Sequence, residues 1–386
     1  MGKTILIASA LYAPHMGGVE NYTEKLAGAL TAQGHHVIVI THQLDALDSV
    51  LDCSGDIDVM RLPCTPLMDG RYPAPRRNHL YKSLLSWLER KPIDHVIVNT
   101  RFYPLSFEIA ALANAHGIRP VIVEHGSAHL TAGSLATDAA VSRTEHLLTA
   151  RIKTLDADYY GVSTACCAWL EHFGIKACGV LPNSIDAHAF CNARSQRDFR
   201  AEIGAAEFDF IVAFTGRFNP EKGIKPLVKA AEMLSKRSDI HFIFAGQGPL
   251  KELIDETHSP NVHNVGKLSA ADVASLLLTS DAFCLPSRSE GFSTSLLEAA
   301  ACGAVPIITH VGGVEELIPD DRFGIVLPAA KPKHIAHSVT ALASNRFTCA
   351  EMGELIRTRV SELYSWDATA ERVLAACEYA NAREVI

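Results

Sequence analysis

The sequence predicts an α/β chain of two Rossmann-like domains, on three observations. Short, β-branched apolar runs alternate with amphipathic helical stretches along the whole chain. The apolar runs are continuous, as in strands buried on both faces of a parallel sheet. The rhythm pauses over a polar, Arg- and Ala-rich stretch at 187–207 and then restarts. A length of 386 residues, with 48% hydrophobic and 20% charged, suits two hydrophobic cores better than one.

In the first half, residues 5–8, 37–41, 57–62, 96–99, 121–124 and 159–162 read as strands. Helices are expected at 20–33, closed by Gly34, and at 79–90. In the second half the strands are 208–215, 240–245, 262–265, 282–285, 305–309 and 325–327, with a helix at 224–236. The expected organisation is a first domain at 1–186, a linker at 187–207 and a second domain at 208–365. A final helix at 366–386 is led by Tyr364-Ser365-Trp366-Asp367. Open parallel sheets bind ligands beyond the carboxyl ends of their strands, so two such edges facing a central cleft make one shared site.

The net charge of −8 argues against a nucleic-acid binder. No run approaches 18 apolar residues, and the first apolar stretch is too short for a signal peptide. The ten cysteines include no C-x-x-C pair, which suits free thiols in a reducing, cytoplasmic compartment.

Chemistry concentrates in the second half. Gly216-Arg217-Phe218-Asn219-Pro220-Glu221-Lys222-Gly223 follows a strand and opens a helix. Arg217 offers a planar fork of donors, Lys222 a point charge, and the helix start free N–H groups, which together suit a diphosphate. A merely solvated basic loop would look the same. Downstream, Glu290-Gly291-Phe292-Ser293-Thr294-Ser295-Leu296-Leu297-Glu298 sets one carboxylate in a loop and a second in the following helix. Two carboxylates at a sheet edge accept hydrogen bonds from a polyol, although an isolated E-x7-E also describes a capped surface helix. Of the 18 histidines, His125 stands out because it follows the strand at 121–124. His35 and His36 read as turn residues, and Asp56-Ile57-Asp58 leads into a strand and is not a metal-binding loop.

The segment from Glu290 through Glu298 resembles the E-x7-E donor motif of glycosyltransferase family 4, retaining enzymes of the GT-B fold. Gly17-Gly18-Val19-Glu20, Gly34-His35-His36-Val37, Glu124-His125-Gly126, Pro182-Asn183-Ser184-Ile185-Asp186, Gly246-Gln247-Gly248-Pro249 and Gly312-Gly313-Val314-Glu315-Glu316 follow the family order. Ser184 replaces the usual glycine. The resemblance implies transfer of a sugar from a nucleoside diphosphate, UDP-linked, with retention and with no cofactor or metal. The acceptor would be a saccharide or a lipid-linked molecule, in polysaccharide or glycolipid assembly.

Carried onto this chain, the resemblance implies that Glu298 binds the ribose, while Arg217 and Lys222 hold the diphosphate beside Gly216. Glu290, Gly291 and the amides of Phe292, Ser293 and Thr294 would position the sugar. Gly17 and Gly18 would bring backbone N–H groups to the diphosphate, His125 would contact the sugar, and Gly266, Lys267 and Leu268 would meet the base. Arg71, Arg76 and Arg77, in a loop before an amphipathic helix, and Arg101, after the strand at 96–99, suit an anionic acceptor. The same basic loop suits peripheral contact with an anionic membrane at its inner face. A nucleotide-sugar epimerase and a non-catalytic nucleotide-sugar binder are the alternatives on this fold.

Overall fold

The structure is a computed structural model that describes residues 2–15, 17–44, 50–53, 55–68, 70–129 and 135–383. It divides into two compact units: Met1–Pro182 with Trp366–Ile386, and Asn183–Ser365.

The first unit runs β1 (Thr4–Ser9), α1 (Gly18–Ala32), β2 (His36–Gln43), β3 (Leu51–Asp52), β4 (Ile57–Leu67), β5 (Tyr72–Pro75), α2 (His79–Leu88), β6 (His95–Asn99), α3 (Pro104–Ala115), β7 (Val121–Glu124), α4 (Leu135–Ile152), β8 (Asp158–Gly161), α5 (Thr164–Glu171) and β9 (Gly179–Val180). The sheet order among the described residues is β3-β4-β2-β1-β6-β7-β8-β9, with β5 added to β4. β2, β1, β6, β7 and β8 are parallel, and residues 5–8, 37–40 and 121–123 are fully buried. That burial on both faces is why these runs carry no polar alternation.

The second unit runs α6 (Ala187–Asn192), α7 (Phe199–Ile203), β10 (Phe210–Thr215), a 3-10 turn (Pro220–Lys222), α8 (Ile224–Met233), β11 (Ile240–Ala245), α9 (Lys251–Asp255), β12 (Val262–Gly266), α10 (Ala270–Thr279), β13 (Ala282–Leu285), α11 (Thr294–Ala301), β14 (Val305–Thr309), α12 (Val314–Leu317), β15 (Ile325–Leu327), α13 (Pro332–Ser344) and α14 (Arg346–Leu363). Its sheet is wholly parallel in the order β12-β11-β10-β13-β14-β15. The order reverses between β10 and β13, the switch point where open α/β sheets place their ligands.

Two sequence expectations are corrected. Residues 187–207, expected as a linker, hold two short helices. Asp186 and Asp198 each accept a backbone N–H as N-caps, starting α6 and α7, and both helices belong to the second unit. The basic stretch at 70–79 is not all loop, because Tyr72–Pro75 pairs antiparallel with β4. Its prolines sit on an edge strand, where a missing donor costs nothing.

The last helix, α15 (Trp366–Asn381), packs on α1 of the first unit. Trp366 is buried with its ring edge-on to Tyr22 at 5.4 Å. At the far end Asn381 donates to the Asp94 carbonyl (2.9 Å), and Arg383 pairs with Asp158. Residues 384–386 lie outside the described residues. No described helix is long and apolar enough to cross a membrane.

Candidate functional site

In the second unit the expected residues gather at the carboxyl ends of β10, β13 and β14. After β10 the chain turns at Gly216 and makes the 3-10 turn that carries Lys222. Gly223 then adopts φ +73° to enter α8. A Cβ on Gly223 would lie 2.1 Å from the Pro286 carbonyl oxygen. Only glycine therefore lets this loop close on the one after β13. The Arg288 N–H donates to the Glu221 carbonyl (2.8 Å) and ties the same two loops.

That closure brings Lys222 and Glu290 together. The ammonium donates to both carboxylate oxygens, at 2.8 and 2.9 Å. Ser287 also donates to Glu290, at 2.6 Å, and Thr309 donates to the Ser287 carbonyl. Arg217 remains exposed, and its side chain meets no partner among the described residues.

Ser293 caps α11 by accepting from the Leu296 N–H, and Phe292 is buried beneath it. Gly312 and Gly313 act by absence of a side chain. A Cβ on Gly312 would strike the Gly291 carbonyl at 2.7 Å, and one on Gly313 the Phe292 ring at 2.2 Å. Gly246 and Gly248 likewise pack their turn against Gly216 and Phe218. That turn is therefore held by backbone-to-backbone contact. Gly266, with φ +71°, ends β12, and its carbonyl accepts from Gly246; Lys267 beyond it is exposed and Leu268 partly so.

Glu298 lies on α11, largely desolvated, and its carboxylate has no hydrogen-bond partner among the described residues. Desolvation pushes its carboxyl up to about 7. A carboxylate left in that state is an acceptor waiting for hydroxyl donors.

In the first unit, Gly17 is the N-cap of α1 and Gly18 its first residue. A Cβ on Gly18 would meet nothing within 4 Å, so this backbone faces open space. Glu20, in the first turn, is buried and lies 3.3 Å from His15.

His125 follows β7 and stacks edge-on against Tyr22 of α1 at 4.7 Å. Its tautomer follows from a chain of hydrogen bonds. The Thr23 hydroxyl donates to the Val19 carbonyl (2.8 Å), so its oxygen accepts from Asn99 Nδ2 (2.8 Å). Asn99 therefore turns Oδ1 to His125 Nε2 (3.0 Å), which carries the proton. Nδ1 meets no hydrogen-bond partner among the described residues and is left as an acceptor. Desolvation pulls the imidazole down to about 3, so it is neutral at pH 7.

The four arginines expected at the acceptor do not act alike. Arg71 and Arg76 are exposed, and Arg77 is exposed but pairs with Glu108. Arg101 is corrected: it is fully buried, paired with Glu124 and Glu145, and its guanidinium carbon lies 3.9 Å from the Phe173 ring centre. It braces the fold and offers nothing to an acceptor. Glu124 in turn accepts from the N–H groups of His125 (3.1 Å) and Gly126 (2.9 Å).

Several supporting residues escaped the sequence reading. Ser287 and Thr309 hold Glu290, Asn99 and Thr23 hold His125, and Asn183 donates to the Phe292 carbonyl at 3.3 Å. Only Asn183 carried a signal, as part of the Pro182–Asp186 motif. A cavity of about 180 Å³ in the first unit is lined by the C-terminal ends of α2 and α3 and includes none of these residues.

Residues 16–189 match the model described as Glycosyltransferase Family 4, and residues 195–359 the model described as Glycosyl transferases group 1. The chain is similar to a phosphatidylinositol N-acetylglucosaminyltransferase component of Arabidopsis thaliana, at 26% identity over 95% of this chain and 80% of that protein. It is also similar to a GDP-mannose-dependent monoacylated alpha-(1-6)-phosphatidylinositol monomannoside mannosyltransferase of Corynebacterium glutamicum, at 23% identity over 96% of each. Sucrose-phosphate synthase from Thermosynechococcus elongatus has a similar structure, with TM-score 0.78 and 20% identity over 98% of this chain and 99% of that one.

Proposed function

We propose, since the chain belongs to glycosyltransferase family 4 and carries the GT-B fold, that it transfers a sugar from a UDP-linked donor to an anionic, lipid-linked acceptor with retention of configuration. The observation that carries this reading is the pair of unlike carboxylates eight residues apart. Glu290 is bound to a cation, and Glu298 is desolvated with no hydrogen-bond partner among the described residues.

Glu298 accepts hydrogen bonds from the ribose hydroxyls, which supply the donors that its own fold withholds. Cleaving the sugar–phosphate bond builds negative charge on the diphosphate oxygens. Lys222 and Arg217 meet that charge as preorganised cations, so no step is assigned to a metal. Glu290 keeps Lys222 in place and, with the amides of Phe292 to Thr294, orients the sugar. His125, neutral and with Nδ1 bare, accepts from a sugar hydroxyl. Gly17 and Gly18 supply backbone N–H groups to the diphosphate, and Gly266 to Leu268 supply the edge on which the base rests.

For the acceptor, both named relatives carry phosphatidylinositol in their names. Here Arg71 and Arg76 are exposed beside two exposed leucines, Leu67 at 46% and Leu80 at 41%. Apolar tips flanked by arginines suit the surface of an anionic leaflet at the cytoplasmic face, where each basic residue contributes about 1 kcal/mol.

The test has two stages. Thermal shift against UDP, GDP and ADP identifies the base, because a ligand that binds the folded state raises its apparent stability. Turnover of the matching nucleotide sugars with phosphatidylinositol vesicles then gives a product for NMR. A retained anomeric centre and activity that survives EDTA are expected. An inverted centre, loss of activity restored by manganese, or conversion of the donor without acceptor into an epimer each overturns a stated part of the reading.

A further inference from the structure

A cluster of histidines in the first unit takes no part in the proposed transfer. His129 follows the His125 loop, His146 lies on α4, and His172 is the C-cap of α5. One ligand atom from each ring lies within 4.8 Å of the others. The ring centres form a near-equilateral triangle of 5.4, 5.5 and 5.2 Å. Three imidazoles around a tetrahedral zinc, with Zn–N of about 2.05 Å and about 1.1 Å more to each ring centre, stand about 5.2 Å apart. The rings are therefore already at coordination spacing. The nitrogens need to close to about 3.4 Å. His146 and His172 are the exposed members of the three, so that closure falls to their side chains.

Two further features support a cation here. His129 Nδ1 lies 2.7 Å from Glu145. A proton on Nδ1 donated to that carboxylate leaves Nε2 as the ligand, the carboxylate–histidine–metal arrangement that fixes ring orientation and raises ligand basicity. Nε2 now faces the Ser142 hydroxyl at 3.1 Å, a contact that a metal would replace. The charge balance is also uneven. Buried Glu124 and Glu145 share one guanidinium, Arg101, which leaves one net negative charge against the cluster. Trp169 stacks on His172 at 4.8 Å and Phe173 packs against His146 at 4.8 Å, walling the site with aromatic rings.

The geometry points to a three-histidine site for a zinc-class divalent cation, with a fourth position open to water. Three neutral imidazoles with a carboxylate behind one of them select borderline metals over magnesium or calcium. The assignment stands apart from the transferase reading, because it shares no residue with that site.

The experiment is calorimetric titration of the untagged, chelator-stripped full chain with Zn2+, and with Co2+ as a spectroscopic stand-in. One ion per chain is expected, with a dissociation constant in the micromolar range or tighter and the visible bands of tetrahedral Co2+. His146→Ala and His172→Ala should each weaken binding at least tenfold. Both residues are exposed. Their variants should therefore keep the wild-type melting temperature without metal. Ser142→Ala should bind as well as wild type or better, and His310→Ala, on the other unit, should change nothing. Binding that survives in the His146→Ala/His172→Ala double variant, or wild-type affinity no higher than that variant's, overturns the site. In that case His129 serves only to balance Glu145.

Discussion

Lys222 and Glu290 form one ion pair, with the ammonium held by both carboxylate oxygens at 2.8 and 2.9 Å. The cation assigned to the leaving group and the acid assigned to the sugar are thus a single unit, joined across two loops.

This pairing predicts non-additive losses. Lys222→Ala and Arg217→Ala should each lower kcat by about a hundredfold, as removal of one oxyanion-type donor does. Lys222→Ala combined with Glu290→Ala should lose far less than the product of the two single effects, because each single change already breaks the pair. Arg217→Ala combined with Glu290→Ala should be close to multiplicative, since Arg217 is not part of the pair. Steady-state kinetics on the five variants decides it, and a strictly multiplicative Lys222/Glu290 cycle refutes the shared role.

Glu298 predicts proton release on nucleotide binding. Its carboxyl, raised to about 7, is mostly protonated at pH 6.5 in the free protein. Ribose hydroxyls that donate to the carboxylate favour the ionised form, so UDP should expel a fraction of a proton. Calorimetry in two buffers of different ionisation enthalpy measures this, and Glu298→Gln should abolish it. The same shift fixes a stability slope. Between the ordinary 4.5 and about 7 the folded chain binds more protons at Glu298 than the unfolded chain does. Stability of the free protein from this group therefore falls as pH rises through that window. A Glu298→Gln variant with an unchanged pH–stability slope contradicts the assignment.

The glycines should separate into two kinds. Gly223→Ala places a Cβ 2.1 Å from a carbonyl at a positive φ, so it should destabilise the second unit and abolish transfer. Gly18→Ala meets open space, so it should melt as wild type does while raising the KM for donor. Melting curves read beside donor KM test the contrast. Equal melting temperatures in both variants would falsify the loop-closure role of Gly223.

The arginines should separate as well. Arg101→Met leaves Glu124 and Glu145 buried without their cation, a loss of about 3–5 kcal/mol. Replacing Arg71 and Arg76 by serine should cost little stability. It should raise the KM for a lipid acceptor severalfold and weaken binding to anionic vesicles, more so at low salt. Chemical denaturation and vesicle sedimentation measure these separately. An acceptor KM that ignores Arg71 and Arg76 assigns them to the solvated surface.

The frame of both sheets was legible because buried parallel strands write themselves as unbroken β-branched runs. The expected segments at 121–124, 240–245, 282–285, 305–309 and 325–327 coincide with strands. β5 was hidden by Pro73 and Pro75, which local propensity reads as loop and an edge tolerates. α6 and α7 were hidden by their length, since helices this short depend on caps and packing more than on periodicity. Glu290, Glu298, Arg217 and Lys222 could be named from spacing, but their states could not. That Lys222 is paired depends on where Gly223 lets the backbone approach Pro286, and the state of Glu298 depends on its desolvation on α11. Arg101 was misread for a related reason. A basic residue after a strand resembles a ligand contact until Glu145, 44 residues away, is seen beside it. The three histidines lie on separate elements with no motif spacing, so only the folded chain assembles them.

The order of elements along the chain has a consequence for biogenesis. α15 comes last in sequence but packs on α1, which comes second. On the ribosome, α1 emerges early, and Tyr22 has no Trp366 to cover it until Asn183–Ser365 has been synthesised. At about 5–20 residues per second that interval is roughly 10–40 s. Throughout it the amino-terminal unit is an unfinished body with an apolar helix face open to chaperones. A messenger truncated just before the codon for Trp366 would deliver the second unit whole and the first one incomplete.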